Sequence, residues 1–411
     1  MIFDVCQWTR FFDSMCISVS SLELTQEYAF SAAETDLSGA ALNVFQQAFW
    51  IADASGSNAS RVIEVRVDGK LACRLPYMLE RGKFGILKGG GHHWTHLNGV
   101  SLSYQLGETL AREVVRRAIA ELPEGVSWAF QSDHDAPHAT IISEEFARAG
   151  FTTSKRLTFS QRPDQLGIFL PEATDELGLY AKHSGKTPKG IAPSLPVSDD
   201  ERRMRRTTKR TRESIREAHS KLDVASLEPR EFSEFYEFNL LAQGETVFSP
   251  IHVAERLLEK AAARGQGRVF SARLRAGDGL APNIVAAIAC IWDTKRYYLW
   301  MMGVRKGGDT RGDPPGAMKL LIACAIRDAH RRGLTFDTDG VCGTPELYRH
   351  RLHIPNEEYH LVFTRDAPHV FLARRALRLL SAPKKKSDVF SMTLWSGLGR
   401  KPVPVAHGSE P

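Results

Sequence analysis

Several features that define common protein classes are missing from this 411-residue sequence. It has no run of about 20 consecutive apolar residues, the length that a membrane-spanning helix needs, so we expect no stable membrane insertion. Its N-terminus lacks the basic start and apolar stretch of a secretion signal, which predicts a cytoplasmic protein. The six cysteines show no C-x-x-C spacing. We therefore expect reduced, buried thiols, with Cys290 and Cys324 inside apolar runs.

Catalytic and metal-binding motifs are also scarce. The sequence contains neither G-x-S-x-G nor H-E-x-x-H. Histidines follow a Gly-Gly-Gly run, and the pattern of residues 93–97 predicts a strand on which His92 and His96 share a face and His93 does not. His134 and His138 flank an aspartate further on. With no cysteine near either group, we expect no metal site and no tightly bound cofactor.

The order of predicted elements occurs twice along the chain. The first half predicts a hairpin at 61–79 that turns at Asp68-Gly69, and then, in order, a helix at 107–122, a strand at 126–130, a helix at 140–149 and a strand at 156–162. The second half predicts a hairpin over 269–275 and 284–293, a strand at 297–304, a helix at 316–332 capped by Gly333, and strands at 334–338 and 359–365.

Landmark spacings support a duplication of one unit. Val62 and Phe130 are 68 residues apart and Val269 and Phe336 are 67 apart, while Phe159 and Phe363, the centres of the closing strands, are offset by 204. Hairpin, helix and strand are a common order in α/β proteins, but this spacing holds at three landmarks. We predict an α/β (α+β) fold of two tandem domains with mixed central sheets.

Composition predicts the domain boundaries. The first domain is placed at 1–170 and the second at 201–382. Between them, residues 171–200 are rich in Pro, Gly, Ser and charge, a composition typical of a linker. Residues 383–411 are predicted to form a flexible tail.

Short fragments in a fixed order resemble a known family. The fragments are Phe45 to Trp50 (FQQAFW), Leu75-Pro76, Phe235-Tyr236 with the polar run 241–245, Phe336 to Gly340 (FDTDG) and Leu347 to Arg351 (LYRHR). Over residues 43–366 the sequence resembles tandem acyltransferases of the GCN5-related N-acetyltransferase (GNAT) fold, in the FemAB and BioF2-like (CelD-like polysaccharide biosynthesis) group. The resemblance implies two GNAT-like domains, with the active crevice mainly in the second, and transfer of an acyl or aminoacyl group to an amine.

The positive charge is concentrated in residues 202–216. This segment holds eight basic residues and one acidic residue, a surplus of +7 against +6 for the whole chain. Met204, Thr208, Thr211, Ile215, Ala218 and Leu222 recur at spacings of four and three, which predicts a helix that buries this stripe and leaves the arginines outside. We expect Arg206, Lys209 and Arg210 to bind donor phosphates; the alternative is a solvated helix surface.

The loop that binds the donor pyrophosphate in the resembling family departs from its usual form here. In the family this loop reads Q/R-x-x-G-x-G/A and presents backbone N–H groups to the anion. The matching residues 311–317 include two prolines, which remove two donors, so a standard coenzyme A site is not expected. Arg311, Gly316 and Ala317, with Arg349, remain the predicted donor-binding residues. The corresponding loop of the first copy, 103–107, matches less, which predicts a structural role for that copy.

Catalytic candidates follow the last strands. Asp339 ends a strand before a glycine, where a carboxylate can act as a general base toward an ammonium group or simply form a turn. The resemblance places an aromatic and a basic residue near the reacting carbonyl, which implies proton donation by Tyr348 and charge neutralisation by Arg351. Because Arg351 replaces the usual lysine, phosphate binding is favoured for it. The predicted acceptor pocket comprises Tyr236, Asn239, Gln243, Glu245 and Asp337.

These residues predict an N-acyltransferase. The expected donors are acyl-CoA or acyl carrier protein, and the expected acceptor is an amine of a saccharide, a peptidoglycan-type peptide or a small molecule. One alternative is an aminoacyl-tRNA-dependent aminoacyltransferase, with tRNA as partner. Another is a non-catalytic module that binds an anionic ligand. The residues leave the oligomeric state open.

Overall fold

One mixed β-sheet runs through this protein in its computed structural model, which describes residues 16–23, 43–54, 60–82, 85–91, 94–103, 105–165, 210–211, 213–244, 251–275, 284–305, 313–341, 345, 347–352 and 354–372. The first copy contributes β1 (Ile17–Glu23), β2 (Ser60–Val67), β3 (Lys70–Arg81), β4 (Leu87–Gly90), β5 (Ser101–Leu102), β6 (Ser127–Ser132) and β7 (Thr152–Gln161). The second contributes β8 (Leu222–Ser226), β9 (Gly267–Leu274), β10 (Ile284–Trp292), β11 (Arg296–Val304), β12 (Thr335–Asp337) and β13 (Asn356–Arg365).

Six α-helices lie on the two faces of the sheet among the described residues. They are α1 (Ala48–Ala54), α2 (Glu108–Ala120), α3 (Ala139–Arg148), α4 (Pro229–Ala242), α5 (Ile251–Ala263) and α6 (Ala317–Arg331). Residues 213–221 are also helical, and Leu347–Leu352 form a π-helical turn. The elements up to Ala367 form one unit; residues from Pro368 onward form a second, of which 368–372 are described and helical.

The turn and cap residues act as the sequence predicts. Asp68 and Gly69 both have positive φ, 49° and 77°, as a two-residue hairpin between β2 and β3 requires. Gly333 has a φ of 71° directly after α6, which confirms the predicted left-handed end of that helix.

The predicted duplication is confirmed by the order of elements. In each copy an antiparallel hairpin leads to a strand that pairs in parallel with the strand after a crossover helix: β4 with β6 across α2, and β11 with β12 across α6. The strand order of the sheet is β1-β2-β3-β4-β6-β13-β7-β12-β11-β10-β9-β8, with β5 beside β3. The fold is thus α/β, with two related halves in one mixed sheet.

The closing strands of the two copies are exchanged. β13, from the second copy, pairs with β6 of the first, and β7, from the first copy, pairs with β12 of the second. β7 and β13 then pair with each other along nine residues. Phe159 on β7 is buried in the second copy's core, and Phe363 on β13 is buried in the first copy's core. Each core therefore needs one aromatic ring from the other copy.

The buried stripe predicted for the basic segment is confirmed where the structure describes it. Thr211, Ile215, Ala218 and Leu222 are all buried, and the last three pack in the core that contains α6. Arg210 is exposed. Arg206 and Lys209 lie outside the described residues, as do the predicted linker 171–200 and the tail 383–411.

Two predictions of local structure are wrong. Residues 94–97 form a loop and not a strand. Trp94 O accepts from the Trp300 indole, and Asn98 and Gly99 bond Gln131, so no neighbouring strand pairs with residues 94–97 in the described part of the chain. Cys16 is exposed, whereas Cys73, Cys290 and Cys324 are buried as expected; all four are free thiols. Burial raises the pKa of the Cys73 and Cys290 thiols.

No helix in the described ranges is long and apolar enough to cross a membrane.

We expect Phe159→Ala and Phe363→Ala each to destabilise the whole sheet, because each ring fills the other copy's core. Loss of a buried phenyl ring costs about 3–5 kcal/mol. Urea unfolding followed by tryptophan fluorescence and by far-UV circular dichroism should give one shared transition at lower urea for both variants. Tyr359→Ala, at a solvent-exposed position of β13, is the matched control with little change. Separate transitions for the two copies would contradict the exchange.

Candidate active site

The middle of the sheet carries a nearly buried guanidinium among four carboxylates. Arg296, the first residue of β11, contacts Asp133 at 2.9 Å, Asp135 at 2.7 Å, Asp337 at 2.6 Å and Glu358 at 3.2 Å. Asp133 and Asp135 belong to the loop after β6 of the first copy. A nearly buried charge is stable only when it is paired, so these ion pairs join the loop of one copy to the strands of the other. We call these five residues the Arg296 cluster.

The charge states in the cluster follow from its geometry. Burial alone would lower the pKa of Arg296, but the carboxylates of Asp337, Asp133 and Asp135 raise it above the ordinary value, so the guanidinium stays charged. Burial would raise the pKa of Asp337, but His360, Arg296 and Thr158 outweigh it and hold that pKa well below the usual range. Asp337 is therefore an anion at neutral pH, although its side chain is inaccessible to solvent.

A hydrogen-bond chain on the neighbouring strands orients His360. Arg156 donates to Gln131 Oε1 at 3.2 Å, which leaves the Gln131 amide nitrogen to donate to His360 Nδ1 at 3.0 Å. Because Nδ1 accepts, the ring proton of neutral His360 lies on Nε2, 3.7 Å from Asp337. Burial would lower the pKa of His360, but Asp337, Asp133 and Asp339 together raise it.

Asp339 follows β12 in a left-handed backbone conformation, with a φ of 52°. Its N–H donates to Asp337 Oδ1 at 2.8 Å and its carbonyl accepts from Arg156 at 2.9 Å. Gly340, with a φ of 102°, donates to Thr158 Oγ1 at 3.1 Å, and a Cβ there would collide with the Arg156 guanidinium. A non-glycine residue with positive φ is uncommon and clusters at functional sites. Asp337, Arg156 and Thr158 hold this conformation.

The side chain of Asp339 pairs with His96 of the first copy. Asp339 Oδ2 and His96 Nδ1 form a close hydrogen bond between residues 243 positions apart. The Asp339 side chain is fully buried, and its Oδ1 has no hydrogen-bond partner among the residues that the structure describes. His96 is 22 % exposed, and its Nε2 makes no hydrogen bond with any residue the structure describes. A carboxylate thus orients an imidazole whose other nitrogen is available to move a proton. We call this the His96–Asp339 pair.

The loop that carries His96 lies at two places where parallel strands stop pairing. In the first copy it fills the space between β4 and β6, and in the second it lies beside the space between β11 and β12. β4 and β6 pair only as far as Gly90 and Ala129; beyond them Gly99 N–H donates to Gln131 O at 2.8 Å, and Asn98 Oδ1 accepts from Gln131 N–H at 3.0 Å. The first copy's own chain therefore fills its gap, and the same loop brings His96 to Asp339 of the second copy. The structural role predicted for the first copy stays a prediction.

In the second copy, β11 and β12 separate beyond Tyr298 and Asp337. Pairing between the two strands ends there, whereas β11 continues beside β10 as far as Val304. Trp300 is the extra residue of a β-bulge opposite Ala289 and Cys290, and its indole N–H donates to Trp94 O at 3.3 Å. Bulges of this kind often lie beside active sites, where they re-aim a side chain. The separation of the strands and the His96–Asp339 pair lie at the same end of β12.

The predicted catalytic residues are not brought together. Tyr348 is fully buried and stacks on Phe159 with ring centroids 5.6 Å apart, so it packs in the core instead of facing a reacting group. Arg349 is exposed and donates to Glu357 at 3.0 Å. Arg351 lies in the π-helical turn, and its side chain is outside the described residues. Of the predicted catalytic set, only Asp339 belongs to the His96–Asp339 pair.

The predicted acceptor residues divide between two places. Asp337 is buried and bonded to Arg296 and to the Asp339 N–H. It therefore supports the His96–Asp339 pair and does not line a pocket. Tyr236, Asn239 and Gln243 lie on or just after α4, which packs on β11. Asn239 is buried and donates to Phe235 O at 2.6 Å, and Gln243 donates to Asn239 O at 3.0 Å. Glu245 lies outside the described residues.

The N-terminus of α6 is covered by the helix at 213–221. A Cβ on Gly316 would meet the Ser214 carbonyl oxygen, so only glycine permits this approach. Ala317 N–H is bonded to Pro314 O at 3.2 Å, and Arg305 is paired with Asp313. Arg311 lies outside the described residues. The described part of the basic segment and the predicted donor loop are thus neighbours at Ser214 and Gly316, and the Ala317 N–H at the helix end is already bonded within the chain.

A triplet at Asp133, His134 and Asp135 places its ligand atoms within 4.8 Å of one another, close enough for a metal ion. However, the Oδ2 atoms of both aspartates already accept from Arg296. Since a guanidinium supplies the positive charge there, we assign the triplet to the Arg296 cluster and propose no metal site.

His96, Arg296, His360 and Thr158 are functional candidates that sequence reasoning missed or misread. His96 stood out only as one of several histidines after a glycine run, and its partner is 243 residues away. Arg296 follows a predicted strand end with nothing to mark it as buried. The single available signal was Asp337 and Asp339 themselves, since two carboxylates at a strand end need partners.

Comparison with known proteins agrees with the fold. Residues 202–345 match the family model described as an acetyltransferase (GNAT) domain. The structure of FemX is similar at a TM-score of 0.53 and 11% identity, over 86% of this chain and 99% of that one. A tandem GNAT protein from the clavulanic acid biosynthesis pathway gives a TM-score of 0.45 and 11% identity, over 86% of this chain and 99% of that one. No curated protein matches the sequence.

Asp337 should make stability depend on pH. Its pKa is lowered by folding, so the stabilisation it provides is complete above its unfolded pKa of about 4 and is lost as pH falls through the lower folded value. We expect Asp337→Asn to be less stable at pH 7, by about 3–5 kcal/mol for a broken buried ion pair. The free energy of unfolding of Asp337→Asn should also decline less than that of wild type between about pH 5 and pH 2, the range over which Asp337 takes up its proton.

Urea unfolding at a series of pH values measures both effects. The control is Asp164→Asn, which removes an exposed carboxylate that lies near Arg162 at the surface. Parallel pH profiles for wild type and Asp337→Asn would contradict the assignment.

Proposed function

Because this chain has a tandem GNAT fold of the FemAB-like type, we propose that it is an N-acyltransferase whose crevice is built by both copies. The observation that carries the proposal is the His96–Asp339 pair. It lies where β11 and β12 separate, and its Asp339 belongs to residues 202–345, which match the acetyltransferase domain, whereas its His96 comes from the first copy. Acyl transfer to an amine requires a group that removes a proton from the amine, and an oriented imidazole is well suited to that task.

The reaction we propose has a balanced course. The acceptor amine attacks the carbonyl carbon of a thioester or ester, a C–N bond forms, and His96 Nε2 takes the proton that the amine nitrogen loses. The C–S or C–O bond to the donor then breaks, and the proton passes from the imidazolium to the departing sulfur or oxygen. Asp339 stabilises the imidazolium and fixes the tautomer that leaves Nε2 unprotonated beforehand, because its Oδ2 accepts from Nδ1.

The unpartnered oxygen of Asp339 favours a cationic acceptor. Oδ1 is buried and bonded to nothing in the described ranges, and a buried acceptor without a donor costs about 1–3 kcal/mol. An amine that approaches His96 Nε2 lies close to this buried negative charge, which attracts an acceptor that arrives as an ammonium, without a direct bond to Oδ1. That ammonium loses its extra proton to solvent before the neutral amine attacks. The acceptor class we propose is therefore a primary amine, carried by a saccharide, a peptidoglycan-type peptide or a small molecule, with cell-surface polysaccharide or peptidoglycan-type biosynthesis as the setting.

For the donor we propose acyl-CoA or acyl carrier protein, anchored by the basic segment. The exposed Arg210 begins the described part of that segment, and Ser214, one turn further on, meets Gly316 at the N-terminus of α6. Two prolines in residues 311–317 and the bonded Ala317 N–H reduce the number of backbone donors there, which favours a donor held mainly by arginines. Aminoacyl-tRNA is the second candidate, because the same arginines would suit an RNA backbone.

Substitution of the pair tests the chemistry. We expect His96→Ala to lower kcat about 10²–10⁴-fold, the range for loss of a general base. Asp339→Asn should also lower kcat, because an amide N–H facing Nδ1 reverses the tautomer. His252→Ala, at an exposed histidine on α5, is the matched control with unchanged kcat. Full activity of His96→Ala would rule out the pair as the proton acceptor. Binding of an acyl donor by the wild type without any turnover would favour the non-catalytic binding module.

A donor panel tests the substrate class. Purified protein is assayed with short- and long-chain acyl-CoA, acyl carrier protein thioesters and charged tRNA, each with and without ribonuclease. We expect thiol release from a thioester donor that requires an added amine and survives ribonuclease. Activity that ribonuclease abolishes would replace this donor with aminoacyl-tRNA.

A further inference from the structure

The fragment Phe45-Gln46, which contributed to the family resemblance, has a specific place beside the His96–Asp339 pair. Phe45 is fully buried, and its ring stacks on the His96 imidazole with centroids 5.5 Å apart and planes at 27°. It also contacts Tyr298 of β11, with ring centroids 5.2 Å apart. The ring thus lies between the imidazole and the strand that borders the crevice. Stacking limits rotation of the imidazole out of its plane.

Gln46 is almost fully buried, and its side-chain amide is bonded three times. The nitrogen donates to Gly99 O at 2.6 Å, and the oxygen accepts from Asn43 Nδ2 at 2.8 Å and from Ser101 Oγ. Two of the three partners belong to residues 94–101, the segment that carries His96. An amide that is both donor and acceptor to one loop fixes the path of that loop.

The same segment is anchored on both sides of His96. Before His96, Trp94 O accepts from Trp300 on β11; after it, Asn98 and Gly99 are bonded to the Gln131 backbone on β6. A Cβ on Gly99 would collide with Ser132 Oγ, so the chain passes close to β6 at this point. His96 therefore lies between fixed points, and Gln46 secures the C-terminal one through Gly99 and Ser101.

We propose that Gln46 is a positioning residue: by holding the 94–101 segment it keeps His96 Nδ1 against Asp339 and leaves His96 Nε2 without a partner among the described residues. This proposal rests on the proposed function for its catalytic consequence. The geometric part stands on the hydrogen bonds alone. A catalytic group must be held within about 0.5 Å of its productive place, and that depends on supporting residues such as this one.

Nuclear magnetic resonance of the His96 ring tests the positioning directly. In protein labelled with ¹⁵N-histidine, a ring N–H proton bonded to a carboxylate gives a resolved downfield signal, which His96→Ala assigns by its disappearance. We expect Gln46→Met, which keeps the side-chain length but makes none of the three hydrogen bonds, to shift or broaden that signal. Gln46→Glu retains acceptance from Asn43 and Ser101 and should cause a smaller change.

The matched control is Gln266→Met. Gln266 also donates its side-chain amide to a main-chain carbonyl, that of Trp292, at 3.3 Å, and it has no bond to the 94–101 segment. It should alter stability to a similar extent and leave the His96 signal in place. A His96 signal in Gln46→Met identical to that of wild type would overturn the proposal, whether or not any donor supports turnover.

Kinetics provide the second readout. Gln46→Met should lower kcat and leave the KM of the donor unchanged, and it should have no further effect in a His96→Ala background, since residues that act as a unit are not additive. An equal fold-loss in the wild-type and His96→Ala backgrounds would overturn the proposal. If no acyl donor is turned over by the wild type, the proposed function fails, and the His96 signal still decides the role of Gln46.

Discussion

The fold depends on one buried positive charge. Arg296 reaches four carboxylates that come from the loop after β6, from β12 and from β13. A guanidinium removed from water is stable only if its counter-charges are in place, so the elements that carry them must come together before the charge can be buried. Asp337 passes this constraint onward, because its second oxygen accepts the Asp339 N–H and supports the left-handed residue that pairs with His96.

Exchange of the closing strands explains why the candidate site draws its residues from both copies. β7 and β13 lie side by side at the centre of the sheet, each paired with a strand of the other copy. The residues that support Asp339, including Arg156 and Thr158, lie on β7 and therefore come from the first copy. The His96 loop reaches the same place from the side. In the first copy this loop fills the corresponding gap beside β6, and it also brings His96 to Asp339 of the second copy.

The local elements of the fold were predictable from the sequence because their causes are local. Asp68-Gly69 specifies a tight hairpin, Gly333 ends α6, and the stripe through Ile215 and Ala218 marks a buried helix face. The duplication was visible in the spacing of Phe159 and Phe363. Their exchange was not, because alternation of apolar and polar residues identifies a strand and its buried face but not the strand it pairs with.

For the candidate site, the sequence by itself determined that two carboxylates, Asp337 and Asp339, end a strand before a glycine, and Asp339 was identified as a candidate on that ground. Only the tertiary structure decided which partner completes it. His96 and Asp339 are 243 residues apart, on different copies, and the loop between His96 and its anchors has no periodic pattern. Periodicity and turn preferences report interactions within a few residues. A pair brought together by strand exchange and a buried ion cluster depends on contacts that no local pattern records.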